Sequence, residues 1–339
     1  MVALAQTDVE TLFHRLDQAT LLLQQQLSTS YLDALIEVGD DLIDGGQVRV
    51  EEGRPDVTAT AELTKLYQGI QPLLVDAETT RRGLQLALLK DIETDAIDAN
   101  HQLTPDSIGF LVTYLANQLM RQTQMSVLDP AVGTGNLLTT VINQLSQVDD
   151  VQIQGFGVDN DDSMLAMANV MSTLQHRDIQ LFHQDALDPL VMPKMDLVVS
   201  DLPVGYYPRD DQATHFKTAA QQGHSYVHHL LLEQSINQLV AGGWGIFLVP
   251  SQLFTSNEAP SLVSWIQSQA HLQGILNLPS ELFQNKQAQK AILLLQKHGG
   301  SAKQAGQVLL GEFPSLKDAQ AVADFTNQID EWVVTNVSQ

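Results

Sequence analysis

A strand, a glycine turn and a helix follow one another over residues 125–145, and this order constrains the fold more than any other stretch. Residues 125–128 form a short apolar run, which is typical of a buried parallel strand. Gly133 and Gly135 allow the backbone to turn tightly and to approach a ligand without a Cβ atom in the way. From Asn136 onwards, apolar residues recur at helical spacing. The sequence therefore predicts a helix whose N-terminal amides face a molecule bound over the turn.

The glycine turn excludes two common kinds of nucleotide site. A dinucleotide fingerprint requires G-x-G-x-x-G, but position 138 is Leu. No Lys-Ser or Lys-Thr pair follows the turn, which excludes a phosphate loop of the Walker type. The remaining pattern, D-P-A-V-G-T-G from Asp129 to Gly135, resembles the first motif of class I S-adenosylmethionine-dependent methyltransferases, in the form found in enzymes that methylate adenine in DNA. The plainer alternative is another α/β enzyme with a glycine turn.

The length of 339 residues predicts about two domains, and the composition predicts a cytoplasmic protein. Apolar residues make up 44%, enough for a large core, and 17% charged residues is too few for a disordered chain. Apolar runs of about 18 residues are absent, and the first residues lack the pattern of a signal peptide, so we expect no membrane segment. The absence of cysteine excludes disulfides and thiolate metal sites.

The net charge of −23 argues against strong binding of nucleic acid. Residues 1–105 contribute −11 (7 basic, 18 acidic) and residues 106–339 contribute −12 (10 basic, 22 acidic), so neither part is a basic module. Phosphate contacts dominate the affinity of DNA-binding proteins, and we therefore expect weak intrinsic affinity. A local basic patch stays open, although a solvated surface is the more economical interpretation of the lysines concerned. These are Lys286, Lys290, Lys297 and Lys303.

The first hundred residues are helical by pattern and carry no cluster of catalytic residue types. Apolar residues recur at helical spacing over residues 7–45, 59–74 and 77–94. The tail has a strand-like start at Gln307 and a helix predicted from Leu316 to Trp332. The predicted division is an N-terminal helical domain over 1–100, a methyltransferase domain over 101–300 and a strand–helix extension over 301–339.

Thr104, Pro105 and Asp106 begin a helix ahead of the glycine turn. Thr suits the N-cap position, Pro the first helical position and Asp the first turn. In the methyltransferases that the chain resembles, a similar Thr-Pro helix precedes the first strand, and its turn faces the carboxylate end of the cofactor. Thr104 stands 25 residues before Asp129, which suits this arrangement. The alternative is a well-capped helix without a further role.

Acidic residues end the next two predicted strands. Asp159 comes 24 residues after Gly135, and an acid at this strand end binds ribose hydroxyls in α/β nucleotide folds, although it also suits a helix cap. Asp185 follows the third strand, where the resemblance implies an acceptor for the adenine amine of the cofactor; a loop acid is the alternative. The resemblance thus assigns binding of S-adenosylmethionine to Thr104, Asp129, Pro130, Ala131, Gly133, Thr134, Gly135, Asn136, Leu137, Asp159, Asn160, Asp185 and Ala186.

The end of the fourth predicted strand departs from the family pattern. The family carries Asn/Asp/Ser-Pro-Pro-Tyr/Phe here, where two acceptors hold the target amine and the ring stacks on the base. In this chain Asp201 and Pro203 match, whereas leucine and valine replace the first proline and the ring. Tyr206 or Tyr207 is expected to supply the ring instead, which makes these four the candidate catalytic residues. The alternative is a retained fold with altered or lost catalysis.

His224 and His228 lie four residues apart, but no H-E-x-x-H motif accompanies them. We therefore expect no metal site and interpret these histidines as residues of a helix N-terminus or as polar groups that line a site.

Over about residues 100–297 the motifs follow the order found in adenine-specific amino methyltransferases. The resemblance implies an α/β fold: a Rossmann-like, doubly wound, seven-stranded sheet with an antiparallel last strand and an N-terminal all-helical domain. The chain resembles a small, stand-alone bacterial relative of the modification subunits of type I restriction systems, without a separate target-recognition domain. Three functions stay open: methylation of adenine in nucleic acid, methylation of another planar nitrogen such as a protein glutamine, and cofactor binding without catalysis. A partner protein or a homodimer is also left open.

Overall fold

The computed structural model describes residues 2–94, 103–147, 151–256, 258–283 and 285–337. Its centre is one eight-stranded sheet with the strand order β3-β2-β1-β4-β5-β7-β6-β8. The strands are β1 (Gln124–Asp129), β2 (Gln152–Asp159), β3 (Ile179–His183), β4 (Met195–Asp201), β5 (Leu239–Pro250), β6 (Ala270–Asn277), β7 (Lys290–Lys297) and β8 (Leu309–Glu312).

The sheet confirms the predicted mostly parallel, doubly wound fold. Strands β3, β2, β1, β4 and β5 run parallel to their neighbours, and β7 is antiparallel to both β5 and β6. An eighth strand, β8, joins the seven predicted ones and pairs in parallel with β6. The chain order reverses on the two sides of β1, and ligands of such sheets bind at the carboxyl ends of the strands around this point.

Helices cover both faces of the sheet, which explains why its central strands are apolar on both sides. The helices are α1 (Val2–Leu27), α2 (Tyr31–Ile43), α3 (Val57–Ile70), α4 (Ala77–Thr94), α5 (Asp106–Leu119), α6 (Asn136–Leu145), α7 (Asp162–Leu174), α8 (Asp210–Ala213), α9 (Val227–Gln238), α10 (Ala259–Gln269) and α11 (Ala319–Asn336). In β4, Leu197 and Val199 join a core with α5, α6 and α11, whereas Val198 joins a second core with α9 and α10.

Helices α1 to α4 form the predicted N-terminal helical part, and their core includes Met167 and Val170 of α7. A Cβ atom at Gly39 of α2 would lie 2.3 Å from a methyl carbon of Val170, so only glycine permits this close packing. The predicted helical stretch 7–45 is divided at Ser30, whose side chain accepts from the backbone of Asp33 and caps α2. The predicted boundary at residue 100 lies outside the described residues.

Residues 241–245 lie within β5, where its pairing with β4 shifts from Met195–Leu239 to Leu197–Trp244. The inserted residues form a bulge, and Gly242 has a φ of 82° there. The C-terminal helix, predicted over residues 316–332, is α11 and extends from Ala319 to Asn336. Within the described ranges, no helix has both the length and the apolar character needed to cross a bilayer.

Candidate active site

The glycine turn joins β1 to α6 in a conformation that requires glycine. Gly133 and Gly135 have φ values of 52° and 80°, in the left-handed region. A Cβ atom at Gly135 would lie 3.4 Å from Ala168, because α7 packs closely against the turn. A Cβ atom at Gly133 would meet no heavy atom within 4 Å, and the space over the turn is therefore open.

The carboxylate of Asp159 is fastened to this turn. Its Oδ2 accepts from the backbone N–H of Gly133 at 2.8 Å, and its Oδ1 accepts from that of Asp161 at 3.0 Å. The N–H of Val132 also donates to the carbonyl of Val158, at 3.0 Å. These bonds hold the end of β2 beside the glycine turn. Asn160, the next residue, is exposed.

Asp129 ends β1 and is buried beneath the turn. Its Oδ1 accepts from the N–H of Ala131 at 3.0 Å and from the hydroxyl of Ser200 at 2.7 Å. Burial, together with the nearby charges of Asp201 and Asp159, raises the pKa of the Asp129 carboxyl to about 7, against the lowering effect of these two hydrogen bonds. Of the other residues predicted in the turn, Ala131 is half-buried, whereas Pro130, Thr134 and Leu137 are buried.

Asn136, the first residue of α6, connects the turn to the Thr-Pro segment. Its Nδ2 donates to the carbonyl of Thr104 at 3.0 Å, and the Thr104 hydroxyl donates to Oδ2 of Asp201 at 2.9 Å. Nη1 of Arg81, a residue of α4, donates to Oδ1 of Asn136 at 2.9 Å. The sequence-based interpretation missed Arg81. The available signal was a charged residue on the buried face of α4 that also carries Leu84.

Asp185 follows β3 and accepts the hydroxyl of Tyr207 at 2.6 Å. Its other oxygen accepts from the N–H of Leu187 at 2.9 Å, and Ala186 between them is buried. The ring of Tyr207 is only 4% exposed, and therefore belongs to the core. Asp185 is thus held in place by a residue that the sequence analysis had considered for base stacking.

Asp201, the last residue of β4, contacts two donors. Lys290 forms an ion pair through Oδ1, and Thr104 donates to Oδ2. Lys290 is predicted from the sequence to lie on a solvated surface, but its side chain is only 24% exposed. Leu202 stands where the family has a proline, and its N–H donates to the carbonyl of Leu248 at 3.1 Å, a bond that proline cannot form. Pro203 is half-buried beside it.

Tyr206 is the exposed aromatic residue of this loop, with 60% of its surface accessible. Its ring stacks on that of Tyr226, with centroids 4.9 Å apart and an interplanar angle of 18°. The backbone holds this arrangement, since the N–H of Tyr207 donates to Ser225 and that of Val227 to Gly205. Of the two candidate tyrosines, only Tyr206 presents an accessible ring.

Two buried histidines in the first turn of α9 lie behind Tyr226, at ring distances of 5.2 Å for His228 and 5.3 Å for His229. Among the residues that the structure describes, neither ring nitrogen of His229 has a hydrogen-bond partner, nor does Nδ1 of His228. Burial lowers the pKa of His228 to about 3 and that of His229 to about 4, and Lys290 contributes to the lowering at His228. His224 is exposed and lies 2.9 Å from Asp210.

Comparison with known proteins identifies the family. Residues 88–331 match the family described as N-6 DNA Methylase, and residues 10–92 match the YtxK N-terminal helical domain. The chain belongs to the N-6 DNA methylase family. Members are class I S-adenosylmethionine-dependent methyltransferases, so the cofactor is S-adenosylmethionine, which confirms the sequence-based prediction.

Two relatives match almost the whole chain. An uncharacterized protein, YtxK of Bacillus subtilis, is 37% identical over 327 residues, which cover 96% of this chain and 97% of that protein. A crystal structure from Listeria monocytogenes, of a protein assigned to the class I S-adenosylmethionine-dependent methyltransferases, is 39% identical, with a TM-score of 0.89 and coverage of 96% and 99%.

A more distant relative shows the same fold. The methyltransferase subunit of a type I restriction-modification system from Streptococcus thermophilus is 14% identical, with a TM-score of 0.60. The match covers 92% of this chain and 73% of that subunit.

The residues present fit the cofactor of the N-6 DNA methylase family. The space over Gly133 is open, and each oxygen of Asp159 carries one N–H donor, which leaves lone pairs for ribose hydroxyls. Asp185 accepts from Tyr207 and Leu187, and Arg209 lies 3.4 Å from its Oδ2, which still leaves a carboxylate lone pair for a further donor.

Proposed function

We propose that the chain methylates a planar amine, with the exocyclic amine of adenine in nucleic acid as the first candidate substrate. The observation that carries the proposal is the connection between Asn136, Thr104 and Asp201. Thr104 joins Asn136, the first residue of the helix after the glycine turn, to Asp201. The family pattern assigns the Asp201 carboxylate to the target amine. Cofactor loop and amine acceptor are therefore neighbours at the carboxyl edge of the sheet.

The proposed cofactor site follows the sequence-based assignment. Asp159 accepts from the ribose hydroxyls, Asp185 accepts from the adenine amine, and the methionine part lies over Gly133 and Gly135. Bound S-adenosylmethionine would supply a methyl group from its sulfonium, with the S–CH3 bond broken and the neutral thioether released. The proposed site also keeps the other residues of the sequence-based assignment: Thr104, Asp129, Pro130, Ala131, Thr134, Asn136, Leu137, Asn160 and Ala186.

Asp201 performs the chemical work of this chain in the proposal. Its carboxylate accepts an N–H hydrogen of the target amine and so directs the nitrogen lone pair towards the methyl group. As the nitrogen gains the methyl group it loses a proton, which Asp201 is placed to take. Pro203 positions the neighbouring carbonyl, and the accessible ring of Tyr206 offers a stacking surface for a planar substrate.

The Lys290–Asp201 pair supports a substrate in which an N–H donor adjoins an acceptor. Asp201 presents an acceptor oxygen, and the Lys290 ammonium beside it presents donors. An adenine amine next to its ring nitrogen matches this arrangement, and so does the amide of a glutamine side chain. The ion pair also neutralises the charge that an unpaired carboxylate would bring to the site.

The second candidate substrate is a glutamine or another planar nitrogen in a protein. The net charge of −23, divided almost evenly between the two parts of the chain, favours it because phosphate repels such a surface. For a nucleic-acid substrate, we propose that a partner protein or a second copy of the chain supplies the affinity.

Labelled methyl transfer tests the proposal. The purified chain is incubated with labelled S-adenosylmethionine and, separately, with total nucleic acid and total protein from a strain lacking the gene. Label in nucleic acid that disappears with Asp201→Ala, and persists with the exposed control Asp324→Asn, supports adenine methylation. Label in protein moves the assignment to the second candidate. Cofactor binding without label in either fraction contradicts both and leaves a non-catalytic binding protein.

A further inference from the structure

We propose that Arg81, in the N-terminal helices, is a positioning residue of the methyl-transfer site. It orients Asn136 at the start of α6 and, through Thr104, the carboxylate of Asp201. The inference rests on the proposed function for Asp201, whereas its cofactor-side consequence can be measured without any substrate. It gives the N-terminal helical domain a direct role in the site.

The guanidinium of Arg81 is fully buried and holds three side chains at once. Its Nε and Nη2 donate to the two carboxylate oxygens of Glu78 at 2.9 and 2.7 Å. Its Nη1 donates to Oδ1 of Asp106 and to Oδ1 of Asn136, both at 2.9 Å. Burial alone would lower the Arg81 pKa, but the bonds to Glu78 and Asp106 raise it, so the group stays charged.

The bond from Arg81 decides how Asn136 presents its amide. Because Oδ1 accepts from Arg81, Nδ2 must point the other way, where it donates to the carbonyl of Thr104. The Thr104 hydroxyl then donates to Asp201. Asn136 and Thr104 are 4% and 7% exposed, so water does not compete for these bonds.

A purely structural role would not require this residue type. A buried cation loses its hydration, and apolar side chains of similar volume often stabilise a protein at least as well as a buried ion pair. Leu84 and Leu88 on the same buried face show that α4 otherwise packs by apolar contact. What the guanidinium adds is a planar set of donors in fixed directions, and here those donors fix Asn136.

Arg81→Lys is the main test, because lysine keeps the charge but cannot hold Glu78, Asp106 and Asn136 together. Binding of S-adenosylmethionine is measured by calorimetry, alongside the unfolding temperature. We expect affinity to fall about ten-fold, the effect of losing one charge-assisted hydrogen bond. The matched control is Arg82→Lys, an exposed arginine on the same helix, which should bind as the wild type does.

A double-mutant cycle with Asn136→Ala separates positioning from general support. If Arg81 acts through Asn136, Arg81→Lys weakens binding less than two-fold further in the Asn136→Ala background. If Arg81→Lys binds S-adenosylmethionine with wild-type affinity, or loses affinity equally in both backgrounds, the proposal is overturned.

Should Arg81→Lys fail to fold, Asn136→Asp replaces it. The aspartate keeps an acceptor for Arg81 but cannot donate to Thr104, and an unchanged affinity for S-adenosylmethionine overturns the proposal. Failure of methyl transfer alone counts against the proposed function and not against this inference.

Discussion

Lys290 and Asp201 form an ion pair between β7 and β4, across the carboxyl end of β5. In the sheet, Asp201 pairs with Leu248 and Lys290 with Pro250, so β5 sets the distance between the two side chains. With Thr104 on its other oxygen, Asp201 has a donor on each side. The carboxylate that we propose as the amine acceptor is thereby oriented and neutralised before any substrate arrives.

Lys290→Met and Asp201→Asn should each destabilise the chain, by about 1–2 kcal/mol, and their effects should not add. The coupling energy should be about 1 kcal/mol, since both side chains are about one-fifth exposed and solvent screens the pair. Urea unfolding of the two single variants and the double variant measures this value. Additive effects would show that the pair contributes nothing, and the exposed Lys303→Met should leave stability unchanged.

Asp159→Ala should weaken the binding of S-adenosylmethionine ten-fold or more. Two hydrogen bonds from ribose hydroxyls to an anionic acceptor contribute about 2–4 kcal/mol, and the variant also releases the N–H of Gly133. Calorimetry with the cofactor measures the change. Asp162→Ala, at an exposed position in the following helix, is the control. Unchanged affinity in Asp159→Ala would refute the ribose assignment.

Tyr206 and Tyr207 should respond differently to substitution. Tyr207→Phe loses the bond to Asp185 and should cost about 1–3 kcal/mol of stability. Tyr206→Ala removes an exposed ring and should mainly weaken substrate engagement, by about 1–3 kcal/mol if the ring stacks on a base. Thermal unfolding and transfer kinetics separate the two effects, and Tyr206→Phe, which keeps the ring, should retain substrate engagement. The reverse pattern would place the stacking ring at Tyr207.

Asp129 should make the chain less stable as pH rises from about 4 to 7. The folded state keeps the proton up to its pKa of about 7, whereas the unfolded carboxyl loses it near its ordinary value. The folded state binds more protons in this window, so its stability falls as pH increases. Asp129→Asn keeps an oxygen for Ser200 and Ala131 and does not titrate.

The stability of Asp129→Asn relative to the wild type should therefore increase by about 2–4 kcal/mol between pH 4 and pH 8. Urea unfolding at several pH values measures the difference in stability between Asp129→Asn and the wild type. The contributions of other titrating groups cancel in this difference, because both proteins contain them. The exposed Asp211→Asn should show little change over the same range. A difference that stays constant with pH would mean that Asp129 is ionised throughout.

His229→Phe should stabilise the chain, most strongly at acid pH. Two buried ring nitrogens without partners cost about 1–3 kcal/mol, which the phenyl ring removes. Because the pKa of His229 is lowered to about 4, its neutral form favours folding above pH 6.5, and this contribution is lost as pH falls towards 4. The gain should thus grow by about 2 kcal/mol from pH 7 to pH 5. His215→Phe, at an exposed position, should show neither effect; a destabilised His229→Phe would indicate that the imidazole has a polar partner.

The sequence alone determined the sheet, the helical N-terminal part and the glycine turn. These features depend on local order: apolar periodicity selects strand or helix, glycine permits the left-handed turn at Gly133 and Gly135, and parallel strands bring their terminal acids to one edge. Asp129, Asp159 and Asp201 end strands and Asp185 follows one, so their location at that edge could be inferred from chain order.

Tertiary structure alone decided which side chains meet at that edge. Arg81 and Asn136 are 55 residues apart, and Lys290 and Asp201 are 89 apart. Periodicity identifies the buried face of a helix or strand but not the surface against which it packs. The sequence therefore did not show that Arg81 contacts Asn136 or that Lys290 contacts Asp201. The same reason applies to Tyr206 and Tyr207. The sequence does not show which of two adjacent loop residues is exposed. In the structure, the N–H of Tyr207 donates to the carbonyl of Ser225, and the ring of Tyr206 lies outward while that of Tyr207 lies in the core.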